Sequence, residues 1–392
     1  MTLSALALSA LALSAPALAD EASPAPTFHP LVQVRPRFEY STGKDGASGG
    51  ELMFVTQRAR LGITAKLPKL SARVLVQDVR MWGSEASTLL DFTADAFDLH
   101  EGWAQYKPTD AVALRVGRQE ITAHEHRLLG NVDWTQQGRS FDAATLKLTG
   151  EKLSADAGFA VLADENSGVV TTNGLMGFVR GGIAPAKGAV VDVLAIVDTD
   201  ETLDRTRATA GLYAKGGSGI LSGRVEAYGQ VGSVGDLSIQ AGMVGVQGTL
   251  APEASFKPEI TLWYDLLSGD GDAADDALNA FDTLYATNHK FYGQIDIMTF
   301  LMGGALDGQG LHDAALKLSA KPVEALAVNL DAHVFAAAAP ATEDTMLGQE
   351  ADLWLSGKVS GALSLQGGAS MFLYAADKDP DAWGWAQMNL EI

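Results

Sequence analysis

The chain has 392 residues, with 28 Lys and Arg against 48 Asp and Glu, a formal charge of −20, 42 glycines and no cysteine. Its acidity argues against a nucleic-acid partner, since phosphate attraction needs a basic face, and without cysteine neither a disulfide framework nor a zinc–cysteine site can form. With 47% hydrophobic residues it is too apolar for a disordered polymer.

The first residues, "MTLSALALSALALSAPALAD", form an apolar, small-residue run closing on Ala17-Leu18-Ala19, the small-x-small pattern of signal-peptidase cleavage. No Lys or Arg precedes the run, and Pro16 near its end makes a membrane anchor the poorer alternative. Residues 1–19 are therefore expected to be a cleaved signal peptide and residues 20–392 one domain. Beyond Ala19 no stretch of about 18 apolar residues recurs, so any crossing of a bilayer has to be made by strands.

From Leu31 to Ile392 the chain reads as segments of alternating polarity. Val32, Val34, Phe38 and Tyr40 alternate with Gln33, Arg35, Arg37 and Glu39; Leu326, Val328, Leu330 and Val334 oppose Asn329, Asp331 and His333; Leu363, Leu365, Ala369, Met371 and Leu373 share one face. Short connections near Pro68, Pro108, Glu151, Pro185, Gly217, Pro252, Pro322 and Gly361 alternate with long ones near 41–51, 82–96, 121–139, 163–172, 198–205, 267–310, 337–348 and 374–381. Tight turns at one rim and long loops at the other are the pattern of an all-β transmembrane antiparallel β-barrel, here of about 18 strands. A soluble sandwich would usually need Greek-key crossovers, and no 40-residue repeat supports a propeller. Trp383 and Trp385 on the closing strand are expected at the outer membrane interface.

In a bilayer the outward face is apolar, so charges inside the strands should point into the lumen. That places Arg35, Arg37, Arg58, Arg60, Asp78, Arg80, Glu101, Arg115, Arg118, Glu120 and Arg139 at the pore. Between Leu31 and Gly150 there are 15 basic against 14 acidic residues, and 13 against 34 in the rest, so the first third is locally balanced. The functional reading is an electropositive conduit for carboxylates or phosphates. The plainer reading is that these charges only neutralise one another across a polar lumen.

The segments "QRARLGITA", "QDVRMWG", "LHEGWAQY", "LRVGRQEI" and "RLLGNVDWTQQGRSFDA", followed by "YDLLSGDGD", "FDTLYATNHKFYGQID" and "LHDAALKLSAKP", resemble in their order the alginate export family of outer-membrane barrels. The resemblance covers essentially the whole mature chain. It implies an 18-stranded barrel in the outer membrane of a Gram-negative bacterium, passing an anionic polysaccharide such as alginate. It also implies that Arg58, Arg60, Arg80, Glu101, Arg118 and Arg139 are pore residues. Partners expected on this basis are outer-membrane lipid, the anionic polysaccharide or small anions, and periplasmic secretion components. A general small-solute anion-selective porin is the alternative function.

Three smaller signals complete the reading. Asp270, Asp272, Asp275 and Asp276 cluster in the 268–276 loop, where oxygen-rich spacing can hold calcium, although no glutamate follows as in a helix–loop–helix site. No other cofactor is expected. His124, Glu125 and His126 could ligate a metal but read more simply as loop residues, and Asn288 to Tyr292 read as a segment folded towards the pore. No nucleophile elbow, His-Glu-x-x-His or phosphate-cradling glycine loop supports an enzyme.

Overall fold

A computed structural model describes residues 24–42, 50–84, 97–272, 274–300, 308–340 and 343–392. The expected signal peptide lies outside them. The strands are β1 Thr27–Ser41, β2 Leu52–Lys66, β3 Leu70–Met81, β4 Phe97–Thr109, β5 Val112–Gln119, β6 Phe141–Thr149, β7 Leu153–Ala163, β8 Gly174–Ile183 and β9 Val190–Asp200. They continue as β10 Arg205–Ser218, β11 Leu221–Val234, β12 Leu237–Leu250, β13 Glu259–Leu267, β14 Ala277–Leu278, β15 Leu311–Val323, β16 Leu326–Ala336, β17 Met346–Lys358, β18 Leu363–Tyr374 and β19 Asp381–Glu391. Apart from the two-residue β14, each pairs antiparallel with its sequence neighbours, and β1 pairs with β19 from Gln33↔Glu391 to Ser41↔Trp383. The result is a closed barrel of 18 strands with no free edge, the condition for crossing hydrocarbon with strands. No helix among the described residues is long and apolar enough to cross a membrane.

Both termini lie at one rim, and all eight connections there fall where the sequence marks short turns. The opposite rim carries the long connections, with two exceptions: β9 and β10 are joined by residues 201–204 and β11 and β12 by 235–236. The long-loop rim is the extracellular one.

Outward residues form the apolar belt: Leu61, Val74, Val116, Val193, Leu262 and Leu353 are exposed on successive parts of the wall, as a lipid-facing surface requires. Inward residues are not uniformly polar. Met176, Leu194, Ile196, Met243, Phe335 and Phe372 point inward and are buried. They meet a second apolar set on two extracellular loops, residues 120–140 and 268–310, in which Leu128, Leu129, Tyr292, Ile295 and Met298 are all at most 1% exposed. Each fully buried side chain of this size stabilises the docked loops by roughly 1.5–3 kcal/mol. The core therefore sits inside the barrel, where it holds the loops in the lumen.

The two loops are joined by backbone bonds. Leu129 and Tyr285 form a parallel bridge, Gly130 N donates to Tyr285 O at 2.8 Å, Tyr285 N to Leu128 O at 3.0 Å and Thr287 N to His126 O at 3.0 Å. Gly130 is required at this crossing, because a Cβ there would fall 2.3 Å from Thr287 Oγ1 and 2.8 Å from Thr287 N.

Candidate functional site

Directly paired residues share a face of the sheet, so the register fixes which charges enter the lumen. On β1 and β2 the inward set includes Arg35, Arg37, Arg58 and Arg60, each 7% exposed or less. Their guanidinium groups do not project into open solvent. They hold the backbone of the 120–140 loop, carbonyl by carbonyl. Arg35 donates to Asp133 O at 2.7 Å and Thr135 O at 2.6 Å, Arg37 to Trp134 O, Arg58 to Gln136 O at 3.4 Å and Arg60 to Gln137 O at 3.3 Å. Five successive carbonyls are thereby satisfied by one basic wall.

The same wall converges on a single carboxylate. Asp133 lies 2.8 Å from Arg58, 3.5 Å from Arg60 and 3.6 Å from Arg35, and its side chain is 49% exposed. Burial would raise the Asp133 carboxyl, but the charges of Arg58 and Arg35 outweigh it and hold the group below the usual carboxylate range. Glu39 is the nearest acid to Arg37, at 3.8 Å. Asp296 also acts on Arg37, and Glu120 and Glu101 on Arg60. The four clustered cations thus share a wider set of acids, of which Asp133 alone is within 4 Å of three of them among the described residues.

Other expected residues are also placed inside. Glu101 pairs with Arg73 at 3.1 Å and accepts from Trp103 Nε1 at 2.7 Å. Arg115 lies 4.0 Å over the Trp103 ring and donates to Gln105. Glu120 accepts from Asn131 Nδ2 and lies 2.9 Å from His100 Nε2. Arg139 ties the two loops together by donating to Ala286 O at 3.0 Å and Gly130 O at 3.4 Å.

Asp78, Arg80 and Arg118 do not line the pore, a correction to the sequence expectation. Gln77 opposes inward Arg60, so Asp78 and Arg80 face outward, where they pair with each other at 2.6 Å. Arg118 is three residues from inward Arg115, an odd separation that puts it on the other face. It bonds Leu99 O at 2.7 Å and outward Asp142 at 3.1 Å. Arg80 and Arg118 are each one residue from the extracellular strand end, close to headgroup level, where charge is tolerated. Trp383 and Trp385 are corrected likewise. They are 1% and 6% exposed, point inward and meet Trp134 edge-on at 5.9 and 4.9 Å.

The acidic loop supplies turn geometry. Asp270 Oδ1 accepts from Asp272 N, Asp272 Oδ1 from Ala274 N and Asp275 Oδ1 from Ala277 N, whereas Asp276 offers its carbonyl to Ser238 N. Among the described residues no three acidic or histidine side chains converge as metal ligands. The Asn288 to Tyr292 segment lies inside the barrel, with Phe291 and Tyr292 buried.

Sequence reasoning missed the residue that locks the loops to the far wall. Arg127 is 0% exposed and donates to Glu226 on β11 at 2.9 Å and to the Tyr292 hydroxyl at 2.9 Å, lies 2.8 Å from Asp265 on β13, and packs 3.6 Å over the Phe291 ring. Burial would lower its pKa, but Asp265, Tyr292 and Glu226 raise it, so it stays charged. His124, on the same loop, stacks on Tyr213 at 4.7 Å and sits 3.3 Å from Asp192. The 120–140 loop thus touches β1 and β2 on one side and β9, β10, β11 and β13 on the other, which a segment can do only by crossing the lumen. The polar acceptors at inward positions 226 and 265 were visible in the sequence, but their partner was not.

Beneath the crossing loops two cavities open towards the short-turn rim. One of about 600 Å³ is lined by Gln33, Asp133, Trp134, Lys290, Trp354 and Asn389 among others, and one of about 650 Å³ by Glu125, Trp263, Lys290, Lys317 and Trp354 among others. His126, Lys290, Gln294 and Trp354 border both, so the two form one periplasmic vestibule.

The barrel is similar to solved outer-membrane proteins. Over 93% of this chain it matches OpdK of Pseudomonas aeruginosa (TM-score 0.64, 12% identity, 98% of that chain). Over the same share it matches OccAB4 of Acinetobacter baumannii (0.63, 12%, 98%) and a BenF-like porin of Pseudomonas fluorescens Pf-5 (0.65, 11%, 98%). At these identities the likeness is one of fold. No curated protein matches the sequence significantly. The profile of the alginate export family matches residues 32–353. With a closed 18-strand barrel, a lipid-facing belt and loops crossing its lumen, the chain is a channel of the Gram-negative outer membrane, not an enzyme, and it belongs to the alginate export family.

Proposed function

We propose that this channel passes carboxylate-bearing solutes, with export of an alginate-like acidic polysaccharide as the leading form. The observation that carries the reading is the convergence of Arg35, Arg58 and Arg60 on the one carboxylate of Asp133. Because the arginines are buried beneath the loop, they act on a passing anion through their field, not by contact. A fixed wall of clustered arginines in low dielectric lowers the energy of an anion beside it, and the half-exposed Asp133 keeps that attraction weak enough for release.

A second reading, a porin for small anions, is favoured by the backbone bonds that tie the two loops to each other inside the lumen. The reversal potential of the refolded chain in a planar bilayer under a KCl gradient tests the common element: anion selectivity is expected, and cation selectivity would overturn both readings. Current block by added polyuronate then separates them, since a small-anion porin would remain unblocked.

A further inference from the structure

The vestibule beneath the loops has a chemistry that anion conduction does not require. Trp134 offers no free ring face, since Arg37 lies 3.9 Å over it and His289 stacks at 4.1 Å. Trp354 differs. It is half-buried, borders both cavities, and has no ring or cation partner among the described residues. Its cross-strand neighbour is Gly368, where a Cβ would fall 2.7 Å from Trp354 Cβ. The absence of a side chain there keeps the wall beside the indole clear.

Polar groups around it are left without partners. The side chains of Gln294, Ser356 and Ser364 make no hydrogen bond to another described residue, and Asn389 Oδ1 is buried with none. Lys290 borders both cavities and has no carboxylate within ion-pairing distance among the described residues. An unpaired buried acceptor is costly unless something binds it. Carboxylates line the cavities too, but Glu125, Asp331 and Asp133 are each engaged by a cation, Lys215 at 2.7 Å, Lys317 at 2.8 Å and Arg58 at 2.8 Å. Beside them the Trp354 ring face, the neutral donors and acceptors and Lys290 suit a ring that carries hydroxyls and a carboxylate.

Resting on the anion-channel reading above, we infer that this vestibule is a loading subsite for acidic saccharide. Trp354 is the stacking platform for a pyranose ring, Gln294, Ser356, Ser364 and Asn389 meet its hydroxyls, and Lys290 meets its carboxylate. Aromatic faces stack on flat, partly apolar rings, and hydroxyls that a polar site is built to bond give strong discrimination against analogues lacking them. Trp354 and Lys290 are then specificity-determining residues, while the arginine wall sets ion selectivity.

The test uses the full mature chain in a planar bilayer, with a hexameric uronate oligosaccharide, a neutral hexasaccharide and acetate as probes. Block by the uronate hexamer is expected, weakened about tenfold by Trp354→Ala and largely restored in Trp354→Phe, with the KCl reversal potential unchanged. Lys290→Gln should weaken the uronate hexamer and leave the neutral hexamer as it was. Equal block of the wild type and Trp354→Ala, or block by acetate at the same concentration, would overturn the subsite. The reversal potential separates the two levels. An anion-selective channel that the uronate hexamer does not block sinks the subsite alone, whereas a cation-selective channel overturns the conduction reading and the subsite falls with it.

Discussion

Arg58 on the barrel wall and Asp133 on the loop that crosses the lumen lie 2.8 Å apart, with Arg58 1% and Asp133 49% exposed. The buried partner anchors the loop and the exposed partner meets whatever passes. Asp133→Asn should leave the loop held by its backbone carbonyls and raise local positive charge by one. A unit charge at about 4 Å in water-like surroundings is worth roughly 1 kcal/mol, so the chloride-to-potassium permeability ratio should rise by about fivefold at most. A ratio that does not rise, measured from reversal potentials, would show that ions do not approach Asp133.

Arg127→Ala removes the cation that bridges Glu226 and Asp265, both 0% exposed, and leaves Arg224, 3.2 Å from Glu226, as the remaining basic group beside them. Breaking a buried pair in this way costs roughly 3–5 kcal/mol. The barrel strands do not depend on Arg127, so the loss should fall on loop docking. The expected result is an unchanged far-ultraviolet circular dichroism spectrum with larger, noisier single-channel conductance. A quiet channel of wild-type size would place the loop's anchorage elsewhere.

Gly130→Val should part the two loops. Its side chain would collide with Thr287 Oγ1 and with backbone, which cannot swing away, and overpacking of this kind costs about 1–3 kcal/mol. Hydrogen exchange at Tyr285 and Thr287, whose amides donate to Leu128 O and His126 O, should speed up while the strand amides keep their protection.

Acidification should loosen the same loop. The pKa values of His124 and His126 are lowered from 6.5, in both cases first by burial, with Arg180 adding to the effect at His124 and Lys290 at His126, against the opposing charges of Asp192 and of Glu120 and Asp133. A histidine depressed in the docked state takes up a proton more readily when undocked, so docking is weakened as pH falls below about 6.5 and is unaffected above it. Open-channel noise should increase between pH 7.5 and 5.5, and His124→Asn with His126→Asn should remove that dependence.

The barrel was legible because lipid on one side and water on the other impose a two-residue period, and Gln33 to Tyr40 keep it cleanly. The phase failed on β3, where Val74 and Val76 face outward while Leu75 and Val79 face inward. With apolar residues on both faces, "VLVQDVRM" has no unique register, and Asp78 and Arg80 went to the wrong side. A bulge between β3 and β4, where Leu75 pairs with Glu101 and Val76 with Leu99, buries both His100 and Glu101 and further blurs the alternation. The arginines were found by residue type, but their task was not. What they bind is the carbonyl row of residues 133–137, and backbone acceptors leave no mark in a sequence. Inward Trp383 and Trp385 were misplaced for the same reason, since their partner, Trp134, lies on a loop some 250 residues away.

The bridge between Leu129 and Tyr285 ties together two loops separated along the chain by the eight strands β6 to β13. Neither loop can find the other until the wall between them has curled, so the plug is the last part of the molecule to assemble. A newly inserted barrel is for that interval a wider hole than the finished one, and the speed of loop docking sets how long the outer membrane leaks.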